Sequence, residues 1–304
     1  MLQQADPRNA NLIVNVNGVL SHRDTARLSP FDSIVQGGDA VWEGLRLYNG
    51  RIFRLIEHLD RLHHSAQALG FAVIPTHKHL INEIRRTLEA NTMRDGVHVR
   101  LTLTRGEKIT SGMDPRLNQT GPTLIVLAEW KPPVYATTGL TLITSAIRRF
   151  APDMLDPKIH HNNLLQSILA KTQANAAGAD DALMLDPQGF VAETNATHIF
   201  VVERGTVRTP TTRACPEGIT RQTVLDLCRA NSIPHAVGDV SLAEIYRADE
   251  MFCTGTMGEL AAVTMVDGRT IGAGTVGPMT QRLTGLFRAE VAASGYPVLE
   301  GTSS

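Results

Sequence analysis

"KIHHNNLLQSILAKTQANAAGADDALMLDPQGFVAETNATHIF", residues 158 to 200, runs from a lysine behind a proline to a glutamate set among apolar residues. Paired histidines and paired asparagines follow Lys158, and apolar spacing then predicts a helix over 162–177. "DALMLD" reads as a strand, residues 187–189 as a turn and "THIFVV" as a second strand. Glu193 falls between strand residues and a polar bend, where a carboxylate has to be solvated, paired or used. Lys158 is either a surface charge or, aimed into a pocket, a nucleophilic amine.

Upstream, "NLIVNVNGVL" is strand-like with an Asn17-Gly18 turn signal, and "AVWEGLRLYNGRIFRL" alternates about Asn49-Gly50. Asn-Gly suits the positive φ angles of a tight hairpin. "EHLDRLHHSAQALG" places Leu59, Leu62, Ala66 and Leu69 on one helical face, with Gly70 as the C-terminal cap. A second amphipathic helix covers "THKHLINEIRRTLEAN", and strands cover "VHVRLTLTRG" and "PTLIVLAEW". The paired prolines of "KPPVYATTG", residues 131–139, cannot extend a sheet ladder and mark a linker. It divides an N-terminal domain, 1–130, from a C-terminal one, 140–304. Beyond it come a strand at "LTLITSA", a helix at "EGITRQTVLDLCRAN", a strand at "DEMFCTG" and a last helix at "GPMTQRLTGLFRAEVAAS". Short helices between strands that are often hairpin-linked imply two α+β domains.

Charge is balanced, with 29 basic and 30 acidic residues and no basic stripe, and aromatics make up 5%, which argues against a nucleic-acid partner. The three cysteines lack metal-type spacing and suggest reduced thiols in a cytoplasmic protein. The polar N-terminus lacks the apolar core of a secretory signal, and no segment is apolar for long enough to span a membrane. His58, His63, His64, His160 and His161 do not form the i, i+4 pairing of helix-borne zinc motifs. They are expected to be polar surface or pocket-wall residues, with no metal.

Two further places could bind an anion. Gly218 precedes a helix opening at Ile219, Thr220 and Arg221, whose first amides lack intrahelical partners. It is a phosphate site or an ordinary helix start. "CTGTMGEL" puts Thr254, Gly255, Thr256 and Gly258 in a small, donor-rich turn, which is an anion cradle or a strand-ending loop.

Taken in order, residues 158–200, "GITR" and "TGT", with "AVWEGLRLY" and "IFRLIEHLDRL" before them, resemble the class IV, fold-type IV pyridoxal 5'-phosphate (PLP) aminotransferases. The resemblance covers nearly the whole chain. It implies a two-domain α+β, D-amino acid aminotransferase-like fold, a homodimer, and PLP in the interdomain cleft. It implies that Lys158 forms the Schiff base with PLP and that Glu193 keeps the pyridine nitrogen protonated. Arg54, the amides of Ile219 and Thr220 and the Thr256 hydroxyl would grip the phosphate. Trp42, Arg100, Asn163 and Met257 would line the substrate side, with Arg100 the candidate for the carboxylate and Arg105 and Arg116 behind it.

The implied activity moves an amino group from a branched-chain or similar aliphatic amino acid to a 2-oxo acid, in two half-reactions. Some residues depart from the branched-chain pattern. Asn163 stands where those enzymes usually carry tyrosine, Trp42 where phenylalanine is common, and "ETNATH" replaces a glycine-rich loop. The "TRG" ending is closer to D-amino acid transaminases. A D-amino acid transaminase and an aminodeoxychorismate lyase therefore stay open as alternatives.

Overall fold

The computed structural model describes residues 5–133, 135 and 138–299. Val134, Ala136 and Thr137 of the expected linker lie outside the described residues. The N-terminal half begins with β1 (Ile13–Val16), β2 (Val19–His22), α1 (Ser33–Gly37), β3 (Ala40–Tyr48) and β4 (Arg51–Ile52). It continues with α2 (Leu55–Ala68), α3 (His77–Ala90), β5 (Val97–Thr104) and β6 (Thr123–Trp130). The rest runs through β7 (Leu140–Thr144), α4 (Leu165–Ala176), β8 (Asp181–Leu185), β9 (Val191–Thr194), β10 (His198–Glu203), β11 (Thr206–Thr209) and α5 (Ile219–Ala230). It ends with β12 (His235–Val237), α6 (Leu242–Tyr246), β13 (Glu250–Gly255), β14 (Glu259–Val266), β15 (Arg269–Thr270), α7 (Pro278–Ala293) and β16 (Tyr296–Pro297).

Two compact units result. One holds the described residues of 2–132, 159–163 and 291–304, the other those of 133–158 and 164–290. The short segment after Lys158 and the C-terminal stretch thus join the N-terminal unit, where the sequence division put them in the second domain.

The N-terminal unit is built on the antiparallel sheet β16-β4-β3-β5-β6-β1-β2. Its hairpins turn where Asn-Gly stands: Asn17 and Gly18 take φ of 51° and 79°, Asn49 and Gly50 of 46° and 76°. Strand alternation splits β3 and β5 cleanly. Val41, Leu45, Leu47, Val97, Val99, Leu101 and Leu103 face a core shared with Leu55, Leu59 and Leu62 of α2 and Leu80, Ile84 and Leu88 of α3. The other face carries Trp42, Arg46, His98 and Arg100. Gly70 at φ 68° ends α2, where its amide reaches the Gln67 carbonyl.

The second unit has the mixed sheet β12-β11-β10-β13-β14-β7-β8-β9, with β15 beside β14. Three of its pairings are parallel: β11 with β12, β14 with β7, and β7 with β8. Hairpin patterning does not announce these, because parallel neighbours are joined by long crossovers. The crossover from β7 to β8 contains both Lys158 and α4. The helix expected over 162–177 starts only at Leu165. The reason is that the backbone before it is committed elsewhere: Trp42 donates to the His160 carbonyl and Asn162 to that of Ala40, at 3.0 and 2.7 Å. Residues 159–163 are therefore a bent strap docked on β3, with an isolated bridge between Val41 and His161.

Candidate active site

The expected site residues fall into two clusters, each described within its own unit. In the second unit Glu193 sits on β9 at 3% exposure. Arg149, from the loop after β7, donates through Nη2 to Glu193 Oε1 and to the Thr194 carbonyl, and through Nη1 to Ser167. His198, which opens β10, has Nδ1 3.9 Å from Glu193 Oε2. The surface reading of Glu193 is thus replaced by a buried carboxylate with a guanidinium against it.

His198 also touches the start of α5. Gly218 is the N-cap there, and a Cβ built on it would lie 2.2 Å from the imidazole. Its φ of −69° is open to any residue, so close approach, not conformation, requires glycine. No side chain caps α5, so its first amides remain available to an anion, and Thr220 is buried in that first turn. Arg221, in the same first turn, donates to the Thr209 hydroxyl and the Pro210 carbonyl, 3.2 and 2.8 Å away.

β10 and β13 pair His198 with Thr254. Thr254 Oγ1 is buried and has no hydrogen-bond partner among the described residues. Thr256 and Met257 follow in the turn, both half-buried. Lys158 Nζ lies 3.3 Å from Glu217 Oε1, the residue before Gly218, with its side chain 52% exposed. Amine, helix N-terminus and buried carboxylate therefore line up as Lys158, Glu217-Gly218, His198 and Glu193.

All three cysteines are buried free thiols. Burial pushes Cys228 up to about 11 and Cys253 up to about 12, and raises Cys215 further with Glu193 adding to the effect. None is a thiolate nucleophile at neutral pH.

In the N-terminal unit Trp42 stacks on His160 at 4.5 Å between centroids, and its Nε1 donates to the His161 carbonyl. The Arg100 guanidinium lies 4.0 Å over the Trp42 ring and donates to Asn162 Oδ1 at 2.7 Å. Arg100 is thus on an interior strand, held over an indole, and not on a sheet edge. Asn163 is exposed. Arg54 is the N-cap of α2 at φ 52°, with Nη1 3.1 Å from Glu57. Arg105 is engaged by Asp39 and Arg116 by Asp114. His58, read as a surface or pocket-wall residue, is 2% exposed and bonded to Glu43. No cluster of metal-binding residues occurs among the described residues.

The family model described as "Amino-transferase class IV" matches residues 40–266. The chain belongs to the class IV aminotransferases. It is 52% identical over 293 residues, 96% of its length, to "Branched-chain-amino-acid aminotransferase-like protein 2" of Arabidopsis thaliana. It spans about half the length of that relative, 52%. A "Branched-chain-amino-acid aminotransferase" of Pseudomonas aeruginosa is 34% identical, covering 81% of this chain and 82% of its own. Among solved structures, a T.th. branched-chain amino acid aminotransferase complexed with N-(5'-phosphopyridoxyl)-L-glutamate superposes with a TM-score of 0.86. It is 31% identical and covers 93% of this chain and 95% of its own.

Sequence reasoning passed over Arg149, Glu43 and the strap role of His160. Glu43 had a readable signal: in the period-2 pattern of β3 it shares the face of Val41, Leu45 and Leu47, where a carboxylate needs partners. Arg149 had only a weak one, a paired arginine just before the lysine segment.

Proposed function

We propose that the chain is a PLP-dependent aminotransferase acting on a branched-chain or similar aliphatic L-amino acid, with a 2-oxo acid as acceptor. The observation that carries this reading is the nearness of the Lys158 amine to the uncapped start of α5, through Glu217 at 3.3 Å. PLP fits the donor set around it. The free amides of α5 suit a phosphate, Gly218 keeps their approach clear beside His198, and the buried Thr254 Oγ1 lacks a protein partner among the described residues. The buried Glu193 suits a cationic ring nitrogen.

When bound, PLP supplies an electron-sink ring for the charge left when a substrate Cα loses its proton. The residues of this chain do the rest. Ile219 and Thr220 offer amides, and Thr256 a hydroxyl, to the phosphate. Glu193 holds a proton on the ring nitrogen, and Arg149 fixes the carboxylate by bonding one of its oxygens. Lys158 would be the covalent anchor, and its Nζ, when free, would carry the proton away from Cα. Arg100, a cation set over Trp42, serves the substrate carboxylate. The branched-chain names of the relatives support a branched aliphatic donor.

The same reading has the enzyme working as a homodimer in the cytoplasm, which light scattering and cell fractionation check. The deciding experiment loads the protein with PLP and follows conversion to the pyridoxamine form with L-leucine, L-valine and D-alanine. L-leucine or L-valine is expected to convert it. Conversion by D-alanine alone would give the D-specific reading, and pyruvate release from aminodeoxychorismate without an acceptor would give the lyase.

A further inference from the structure

Glu43 is a buried acid that the reaction above does not use. It stands on the core-facing side of β3 at 0% exposure, among leucines and valines. A carboxylate there persists only with donors on both oxygens. From α2, Arg61 supplies Nε to Oε1 and Nη2 to Oε2, each at 2.7 Å, and His58 Nδ1 meets Oε2 at 2.6 Å. From the strap, His160 Nδ1 lies 3.4 Å from Oε1 and 2.5 Å from the Trp42 carbonyl. Two acceptors on the same nitrogen fix its proton there, and the ring lies flat on Trp42.

Burial opposes the charge on Glu43, yet Arg61 and His160 override it and hold the carboxyl well below its ordinary range. Burial, with Arg61 nearby, depresses His160, so it sits neutral as an Nδ1–H donor. His160 is the second residue after Lys158. Its amide donates to the Ser65 hydroxyl at 3.0 Å, and Ile159 packs on the core. The attachments of His160 thus converge on β3 and α2 around Glu43, while Arg100 of β5 holds the Asn162 side chain.

We propose that Glu43 is a positioning residue for Lys158: held by Arg61 and His58 of α2, it locks the strap 159–163 to β3 through His160. The lock fixes the main chain on the C-terminal side of the lysine, so that the amine returns to one place after each turnover. The inference rests on the reading of Lys158 given above. A carboxylate whose partners held only α2 would be part of the core; the His160 contact is what ties it to the lysine segment.

The test compares wild type, Glu43→Gln and His160→Phe, which keeps the stack on Trp42 but loses the Nδ1–H. Hydrogen exchange at the amides of residues 160 and 162 is measured in each holoenzyme. The pH titration of the Lys158-bound PLP absorption band and the separate kcat and KM values are measured beside it. The expected result is exchange about tenfold faster or more at those amides and a displaced titration midpoint in both variants. Turnover falls by about 10²-fold, the scale on which a misplacement near 1 Å acts, with KM nearly unchanged. A lowered melting temperature with wild-type exchange, midpoint and kcat in both variants would overturn the proposal and leave Glu43 merely structural. If wild type itself forms no absorption band on Lys158, the reading of the lysine fails instead, and the positioning role falls with it.

Discussion

Glu43 and Glu193 are both almost wholly out of water, at 0% and 3% exposure, and each lies on a strand of its own sheet. Glu43 occupies a central strand and is gripped on both oxygens by Arg61 and His58, side chains of one long helix packed on that sheet. Glu193 lies on β9, at one end of its sheet, with a loop arginine on one oxygen and His198 3.9 Å from the other. The first arrangement is rigid: the donors cannot leave without opening the core. The second places a charge beside a loop, a glycine cap and an uncapped helix, where a cationic ligand can be accommodated. On the reading proposed above, buried charge of the same type serves position in one unit and chemistry in the other.

The sharpest way to break this comparison is to strand Glu43. Arg61→Leu removes its main counter-ion and is expected to destabilise the protein by about 3–5 kcal/mol, the scale for an orphaned buried charge. Urea unfolding measures it, and a change within about 0.5 kcal/mol would place Glu43 among ordinary surface acids. Glu193→Gln should behave in the opposite way, lowering transamination by about 10²–10³-fold while leaving urea stability much less affected. Stopped-flow conversion of bound PLP by L-leucine reads it; equal losses of stability in Arg61→Leu and Glu193→Gln would erase the distinction.

A pH scan sharpens the comparison further. Glu43 is depressed in the fold, so its contribution is complete above about pH 4.5, the ordinary carboxyl value, and is lost as pH falls below it. Glu43→Gln should flatten that acid limb. His98, on the opposite face of the sheet, is pushed from 6.5 to about 3 by burial, with Lys131, Arg100 and Arg46 adding to it. The unfolded chain binds its proton first, so stability drains away as pH falls from 6.5 towards about 3, by a few kcal/mol at most. Thermal melts of His98→Leu should lose the part of that slope above pH 4.5, and an unchanged slope would refute the assignment. The smallest expected effect is at Gly218→Ala. The added methyl meets His198, and PLP affinity is expected to fall about tenfold, or ~1.4 kcal/mol, by fluorescence titration.

How much was legible follows from which interactions are local. The Asn-Gly hairpins, the spacing of Leu59, Leu62 and Ala66 and the glycine that ends α2 are short-range signals, and the structure repeats them. Glu193 and Gly218 stood out because a charge among apolar residues and a glycine at a helix start are visible in a few residues, whereas Lys158 stood out only through the family resemblance. The parallel pairing of β7 with β8 and β14 was not, since its partners are set by long crossovers. Residues 162–164 were read as helix because asparagine carries little local preference, while β3 claims the Asn162 amide. Arg149 reaches Glu193 across 44 positions of sequence, a distance over which no periodicity speaks.

The claim on which the rest depends is that Lys158 bears the cofactor. Borohydride reduction of the PLP-loaded protein, followed by peptide mass mapping, tests it directly. The account predicts a phosphopyridoxyl group on Lys158 and its disappearance in Lys158→Ala. A label spread over Lys78, Lys108, Lys131 or Lys171 with Lys158 unmodified would contradict it.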